Sequence, residues 1–241
     1  MKSSDSMERR ALAIVPARGG SKRLPRKNLL ELGGKPLVAH TLDAAVASGC
    51  FSEVRLSSDD EEILEVGARP GVTPMLREAK WASDTATIFD FLKTVAAEST
   101  DFDIISLLLP TAPFRGENII REAFKLLTDD VDAVVSFRRF DTPPQFAVTL
   151  GEEDGIMRPV FDSSPLITGK TRSQDQAPML HPNGAIYLSW WRSYQRFGSF
   201  YAGRTRGYEM SAEESVDIDR MDDLLYARML FERRETSAPT Q

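Results

Sequence analysis

Residues Ala11-Leu12-Ala13-Ile14-Val15-Pro16 are followed at once by Ala17-Arg18-Gly19-Gly20-Ser21-Lys22-Arg23-Leu24-Pro25-Arg26-Lys27-Asn28. The first six are apolar without alternation, the pattern of a strand buried on both faces. The loop behind them therefore lies at the carboxyl end of a core strand, where open α/β sheets take their ligands. Gly19 and Gly20 free the backbone so that successive amides can turn toward an anion. Arg18, Lys22, Arg23, Arg26 and Lys27 concentrate positive charge in a chain that is acidic overall, with 30 Lys+Arg against 36 Asp+Glu. A local charge inversion beside paired glycines suits a polyphosphate better than a merely solvated loop. Neither the P-loop GxxxxGK[ST] nor the dinucleotide G-x-G-x-x-G is present.

Outward from that loop, apolar strands alternate with helical patterns. Strands are expected at Glu53–Ser57, Gly71–Leu76, Asp103–Leu109, Ala133–Phe137 and Gly184–Ser189. Helices are expected at Pro36–Ala47, Glu61–Ala68, Asp84–Ala97, Glu117–Leu127 and Asp219–Arg234, the last with Met221, Leu224, Leu225 and Met229 on its apolar face. This order predicts an α/β protein: a mostly parallel sheet with helices on both faces. The rhythm breaks over 138–182, where Pro143, Pro144, Pro159, Pro165, Pro178 and Pro182 interrupt short strand-like pieces; this segment reads as an excursion from the main sheet. Residues 1–10 read as a flexible leader, 11–234 as one domain, and 235–241 as a flexible tail.

The 241 residues are 41% hydrophobic and 27% charged, as in an ordinary globular domain with a sizeable core. A net charge of −6 argues against nucleic acid as a partner. The single cysteine, Cys50, excludes an intrachain disulfide and a multi-cysteine zinc site. No stretch approaches the roughly 18 apolar residues of a membrane-spanning helix. With no export signal, the expected location is cytoplasmic. His40 and His181 are the only histidines and no G-x-S-x-G occurs, so Ser-His-Asp hydrolysis has little support.

Near the other end stands Ser215-Val216-Asp217-Ile218-Asp219. Alternate side chains of an extended segment share a face, so Asp217 and Asp219 can hold a Mg²⁺ ion beside substrate phosphates. The competing reading has Asp219 simply capping the last helix. Three further stretches draw notice: Arg77 with Trp81–Ala86, Pro110–Arg115, and His181–Tyr187.

Taken together, and in this order, these motifs resemble those of the acylneuraminate cytidylyltransferases, over about Ala11 to Arg234. The basic loop matches that family's A-R-x-x-S-K-x-L-x-x-K-N pattern. Ser57-Ser58-Asp59, Ala82–Ala86, Pro182–Tyr187 and Asp217-Ile218-Asp219 match its later signatures. The resemblance implies a Rossmann-like nucleotidyltransferase fold with a dimerisation excursion. It also implies CMP transfer from CTP to a nonulosonic acid such as N-acetylneuraminic or legionaminic acid, with Mg²⁺ as cofactor. By resemblance, Arg18 and Lys27 are phosphate-binding and catalytic. Ala17, Gly19, Gly20, Ser21, Asn28, Arg77, Ala82 and Ser83 bind the nucleotide, and Asp217 and Asp219 bind the metal. Leu109, Asn183 and Tyr187 lie at the sugar. A homodimer paired through 138–182 would bring Arg172 and Gln174 to the sugar of the partner. Two positions depart from the pattern: Leu109 stands where many sialic-acid members have glutamine, and His181 where the family has arginine. Both lie on the sugar side, so the same fold acting on a 3-deoxy-octulosonate, or a catalytically inactive nucleotide-binding relative, stands as the alternative. No side chain stands out as a general base.

Overall fold

In a computed structural model that describes residues 9–78, 81, 91–92, 95 and 101–237, strand β1 is Ala11–Pro16, as its apolar run predicts. Its odd and even residues enter different cores. Ala11, Ala13 and Val15 pack with helix α1 (Leu37–Ser48), whereas Leu12 and Ile14 pack with Phe91, Leu92 and Tyr194. Burial on both faces is why the strand shows no alternation.

The remaining strands are β2 (Glu31–Leu32), β3 (Lys35–Pro36), β4 (Glu53–Ser58), β5 (Val72–Leu76), β6 (Ile104–Leu107), β7 (Ala133–Arg139), β8 (Val148–Leu150), β9 (Met157–Pro159), β10 (Leu180–Trp190) and β11 (Thr205–Glu209). Helices α2 (Glu61–Val66), α3 (Glu117–Leu126), α4 (Pro165–Thr168), α5 (Trp191–Phe197) and α6 (Met221–Ser237) complete the described elements. The helix expected over Asp84–Ala97 lies largely outside the described residues. Among those residues, no helix is long and apolar enough to cross a membrane.

The main sheet has seven strands in the order β11-β7-β10-β6-β1-β4-β5. The pairings β1·β4, β1·β6, β4·β5 and β7·β11 are parallel, and β10 alone runs antiparallel to both its neighbours. The reversal follows from the excursion. Arg139 pairs with Leu180, so the segment between them leaves and re-enters the sheet at one end, and the returning strand must run the other way. The excursion is correspondingly shorter than the expected 138–182, because Arg138, Arg139 and Leu180–Pro182 belong to the ladder. Within it, β8 and β9 form a separate antiparallel hairpin.

The apolar face expected for the last helix needs correction. Leu224, Ala227 and Leu230 are buried, whereas Met221, Leu225 and Met229 are exposed. The inner stripe joins Leu24, Leu32, Leu37, Phe114, Val216 and Ile218 in a small third core. That core ties the basic loop, the Asp217–Asp219 segment and α6 into one body.

The β2–β3 hairpin completes this tie. It turns through Gly33 and Gly34, both with positive φ (55° and 74°), the Gly-Gly pair a two-residue hairpin favours. A Cβ on Gly33 would stand 2.1 Å from the Phe231 ring of α6, while one on Gly34 meets open space. Gly33→Ala is therefore expected to destabilise the fold by roughly 1–3 kcal/mol more than Gly34→Ala, whose only cost is the left-handed backbone. Urea unfolding of the two variants measures the difference, and equal midpoints would contradict this packing.

Candidate functional site

The basic loop is held from three sides. Ala17 donates its N–H to Ser57 O (2.9 Å), Gly19 donates to Asp59 Oδ1 (3.0 Å), and Asn28 donates its amide to Arg18 O (2.9 Å). The left-handed backbone falls on Arg26 (φ 52°), at the entry to a 3₁₀ turn over Lys27–Leu29, and on neither glycine of the pair. Gly19 serves instead as a close-approach residue, since a Cβ there would stand 2.5 Å from Asp60 Oδ2. Arg18, Ser21, Lys22, Arg23, Lys27 and Asn28 line a cavity of about 320 Å³. Asp219 completes its wall, so cations from the start of the chain face a carboxylate from its end.

Lys27 Nζ donates to Asp219 Oδ1 at 2.7 Å, and Arg23 Nη2 lies 2.7 Å from Asp219 Oδ2. Asp219 does not cap the helix. The Asp223 carboxylate accepts the N–H groups of Asp219 (2.9 Å) and Arg220 (2.8 Å), reaching back from the first turn as the acid of a capping box does. Asp223 thereby leaves Asp219 to the loop cations. Asp217 lines a second cavity of about 320 Å³, with Arg138, Asp141, Asp223 and Tyr226. The two carboxylates thus stand between a cationic chamber and a mixed one.

Their surroundings drive them apart. Asp217 is exposed to solvent, yet the protein around its carboxyl raises its pKa. The Asp219 and Asp223 charges add to the rise, against a Thr111 hydrogen bond and the Lys27 charge. For Asp219, partial burial also pushes upward but is outweighed by Lys27 and Arg23, and its pKa is lowered. Two carboxylates within reach of each other's charge are the oxygen donors a hard divalent cation takes, with water or phosphate oxygens in its other positions. Among the described residues there is no group of three or more His, Cys, Asp or Glu side chains that would enclose a metal by itself.

Beyond the Asp217–Asp219 pair, β10 slips in register on β7 between Pro182 and Tyr187. Proline supplies no N–H, and Gly184 takes φ 75°. Asn183 is buried in this bulge, where its amide is fully engaged. It accepts from Ser136 Oγ (2.6 Å) and Ala185 N (3.2 Å), and donates to Ser215 Oγ (2.9 Å). Through Ser215 it braces the irregular segment entering Asp217, and it lines neither 320 Å³ cavity. Tyr187 is buried, with its pKa raised first by burial and then by Tyr201, whose hydroxyl lies 3.3 Å away; the Asp217 charge adds to the rise. Leu109 packs at the bulge, 3.1 Å from where a Gly184 Cβ would sit. His181 stands opposite Arg138 in the ladder, so this rung carries a permanent cation on the facing strand.

Other expected residues stand apart. Arg77 is buried, its pKa lowered by that burial, and its guanidinium lies 5.4 Å from the centre of the Phe91 ring. The charges of Asp59 and Arg18 reach it, so it neighbours the basic loop. Ala82 and Ser83 lie outside the described residues. Arg172 is exposed beside Asp175, and Gln174 lines a separate cavity of about 380 Å³ in the excursion. Neither lines the chambers holding Lys27 and Asp217.

Comparison with known proteins fits this geometry. The sequence model of a family described as cytidylyltransferase matches residues 12–229. The chain belongs to the cytidylyltransferase family. It is 37% identical over 218 residues to the N-acylneuraminate cytidylyltransferase of Streptococcus agalactiae serotype V, covering 89% of this chain and 52% of that protein. The chain thus spans about half the length of that relative. It is 33% identical over 233 residues to the pseudaminic acid cytidylyltransferase of Campylobacter jejuni, covering 94% of this chain and 98% of the relative. Among solved structures, CMP:2-keto-3-deoxy-manno-octonic acid synthetase complexed with CTP shares the fold at a TM-score of 0.69 and 19% identity, covering 93% of this chain and 99% of that one. The α/β fold with its mostly parallel sheet is therefore the one expected from sequence.

Four residues near this candidate site were not assigned a role from the sequence. Arg23 belongs to the basic run but is distinguished only by its contact with Asp219. Asp223 could have been found as the acid of a capping box. Arg115 is wholly buried, its pKa pushed down to about 9 by that burial, and its Nη1 donates to Ala185 O at 2.5 Å, pinning the bulge from beneath. Arg138 becomes visible only through the strand register.

Asp219, lowered on folding, stabilises the protein above its unfolded pKa, and that contribution is lost as pH falls through the folded value. Asp217, raised on folding, costs stability as pH climbs from its unfolded to its folded value. Followed by carboxyl ¹³C shifts, Asp217 is expected to protonate at higher pH than Asp219, and Lys27→Met should move the Asp219 midpoint upward. Coincident midpoints, unmoved by the substitution, would contradict these environments.

Proposed function

We propose that the chain transfers CMP from CTP to the anomeric hydroxyl of a nonulosonic acid, N-acetylneuraminic, legionaminic or a relative, giving a CMP-sugar and pyrophosphate. The observation that carries this reading is the cavity in which Arg18, Lys22, Arg23 and Lys27 meet Asp219 in a chain of the cytidylyltransferase family. The Streptococcus relative, an N-acylneuraminate cytidylyltransferase, and the Campylobacter relative, a pseudaminic acid cytidylyltransferase, support the sugar class.

The anomeric hydroxyl attacks the α-phosphorus through its oxygen and gives up its proton to solvent, and the bond from that phosphorus to the bridging oxygen of the β-phosphate breaks. Pyrophosphate leaves with the electron pair. Lys27, held only 12% exposed against Asp219, presents a fixed charge to the phosphates. Arg18 lines the same chamber and adds to the field that stabilises charge developing at transfer. Asp217 and Asp219 have the oxygen donors to hold Mg²⁺, which when bound neutralises triphosphate charge and orients the phosphates. Dependence on CTP supports a cytoplasmic location for the chain.

The excursion pairs two copies of the chain. Leu150, Ile156, Met157, Val160 and Ile167 leave more than half of their surface uncovered within this one short segment, an apolar concentration unusual for a monomer. Pairing there would carry Arg172 and Gln174 toward the sugar site of the partner.

Pyrophosphate release, measured with CTP against N-acetylneuraminic, legionaminic and pseudaminic acids and 3-deoxy-octulosonate, tests the activity. Turnover is expected with a nine-carbon acid, and turnover only with the eight-carbon acid, or none, would overturn the reading. Lys27→Ala should lower kcat about 10²- to 10³-fold. Sedimentation should give a dimer that Leu150→Glu with Ile167→Glu converts to a monomer, and a wild-type monomer would remove the pairing.

A further inference from the structure

We infer that Arg138 is the residue that binds the carboxylate of the sugar acid, exchanging its present partner Asp141 for the substrate. The inference rests on the proposed function and names how that site recognises its acceptor. In a 2-keto acid sugar the carboxylate is bonded to the anomeric carbon, whose hydroxyl attacks phosphorus. The anion must therefore sit within a few ångströms of the reacting oxygen. A cation reading it has to lie in the chamber that adjoins the metal carboxylates, and Arg138 lies there, sharing a cavity wall with Asp217.

Arg138 is built for such an exchange. It stands near the end of β7, one residue before the strand gives way to the excursion, at the carboxyl end shared with β1. Its side chain is 23% exposed, and its buried Nε has no hydrogen-bond partner among the described residues. A guanidinium presents its Nε–H and one Nη–H as a fork to a carboxylate, so an idle Nε marks half of an unused bidentate site. The other contact, Nη2 to Asp141 Oδ2 at 2.7 Å, is to a carboxylate that is 80% exposed. So exposed a partner is weakly held and readily displaced.

The other charged groups of the chamber have fixed tasks. Asp223 accepts two backbone N–H groups at the start of α6, and Asp217 belongs to the metal pair. Neighbouring Arg139 is engaged by Glu209 at 2.9 Å. The His181 ring packs on Phe140, 4.6 Å between centres, and its Nδ1 lies 3.0 Å from Pro182 O. Among the residues lining this chamber, Arg138 is the sole cation.

The experiment is steady-state kinetics with the nonulosonic acid that the unsubstituted chain turns over, alongside its carboxamide. Arg138→Gln should raise KM for the acid about 10- to 100-fold, as expected for losing a charge-assisted bidentate pair, with KM for CTP within about twofold. The preference of the unsubstituted chain for acid over carboxamide should shrink by the same factor, a readout that a merely structural role would not move. Asp141→Asn, which removes the competitor, should lower KM for the acid, and it decides the matter should Arg138→Gln fail to fold. An unmoved acid KM in Arg138→Gln, or in Asp141→Asn where only that variant folds, overturns the assignment and leaves the proposed activity standing. Absence of turnover by the unsubstituted chain overturns both.

Discussion

The ion pair between Lys27 and Asp219 joins residues 192 positions apart, and the geometry of the site hangs on it. Without it, a cationic loop and an acidic segment would be two surface features of an acidic protein. Held together, they make a chamber with opposite charges on facing walls. A pair this far from full exposure is not by itself a source of stability, because removing both charges from water offsets their attraction. The third apolar core supplies the stability, pressing Leu24 and Leu32 against Val216, Ile218 and the inner stripe of α6. Packing brings the charges together, and the charges then set what the chamber can hold.

Division of labour among neighbouring carboxylates follows from the same arrangement. Asp219, Asp223 and Asp217 lie within seven residues, yet one pairs with lysine, one caps a helix and one faces a second cavity. Backbone amides neutralise Asp223 without consuming a cation, leaving Lys27 and Arg23 to Asp219. A carboxylate cluster would otherwise repel itself and any phosphate brought near it.

How much of this was legible in the sequence depended on the kind of signal. Strands buried on both faces announced themselves as apolar runs, and β1 matched residue for residue. The edge strand Thr205–Glu209 did not, since Thr-Arg-Gly-Tyr-Glu lies at the rim of the sheet and carries a glycine and two charges. In α6, Leu224 beside Leu225 and Met229 beside Leu230 define two apolar stripes that period alone cannot rank, and only tertiary packing chose between them. The direction of β10 was hidden because direction depends on where the excursion returns. In the site, the basic loop and D-x-D were legible as residue types in order. Asn28 and Asn183 were legible as residue types in their motifs, whereas the hydrogen bonds that tie Asn183 to Ser136 and Ser215 depend on neighbours far away in the chain.

The register slip in β10 divides that strand into two mechanically distinct parts. A slip lets the strand before it and the strand after it keep separate accounts with β7. The pairs from Tyr187 onward, which seat β10 against β6 and β7, are offset from the rungs Leu180–Pro182 that close the excursion. The central ladder of the sheet is thereby mechanically separate from the rungs that close the excursion.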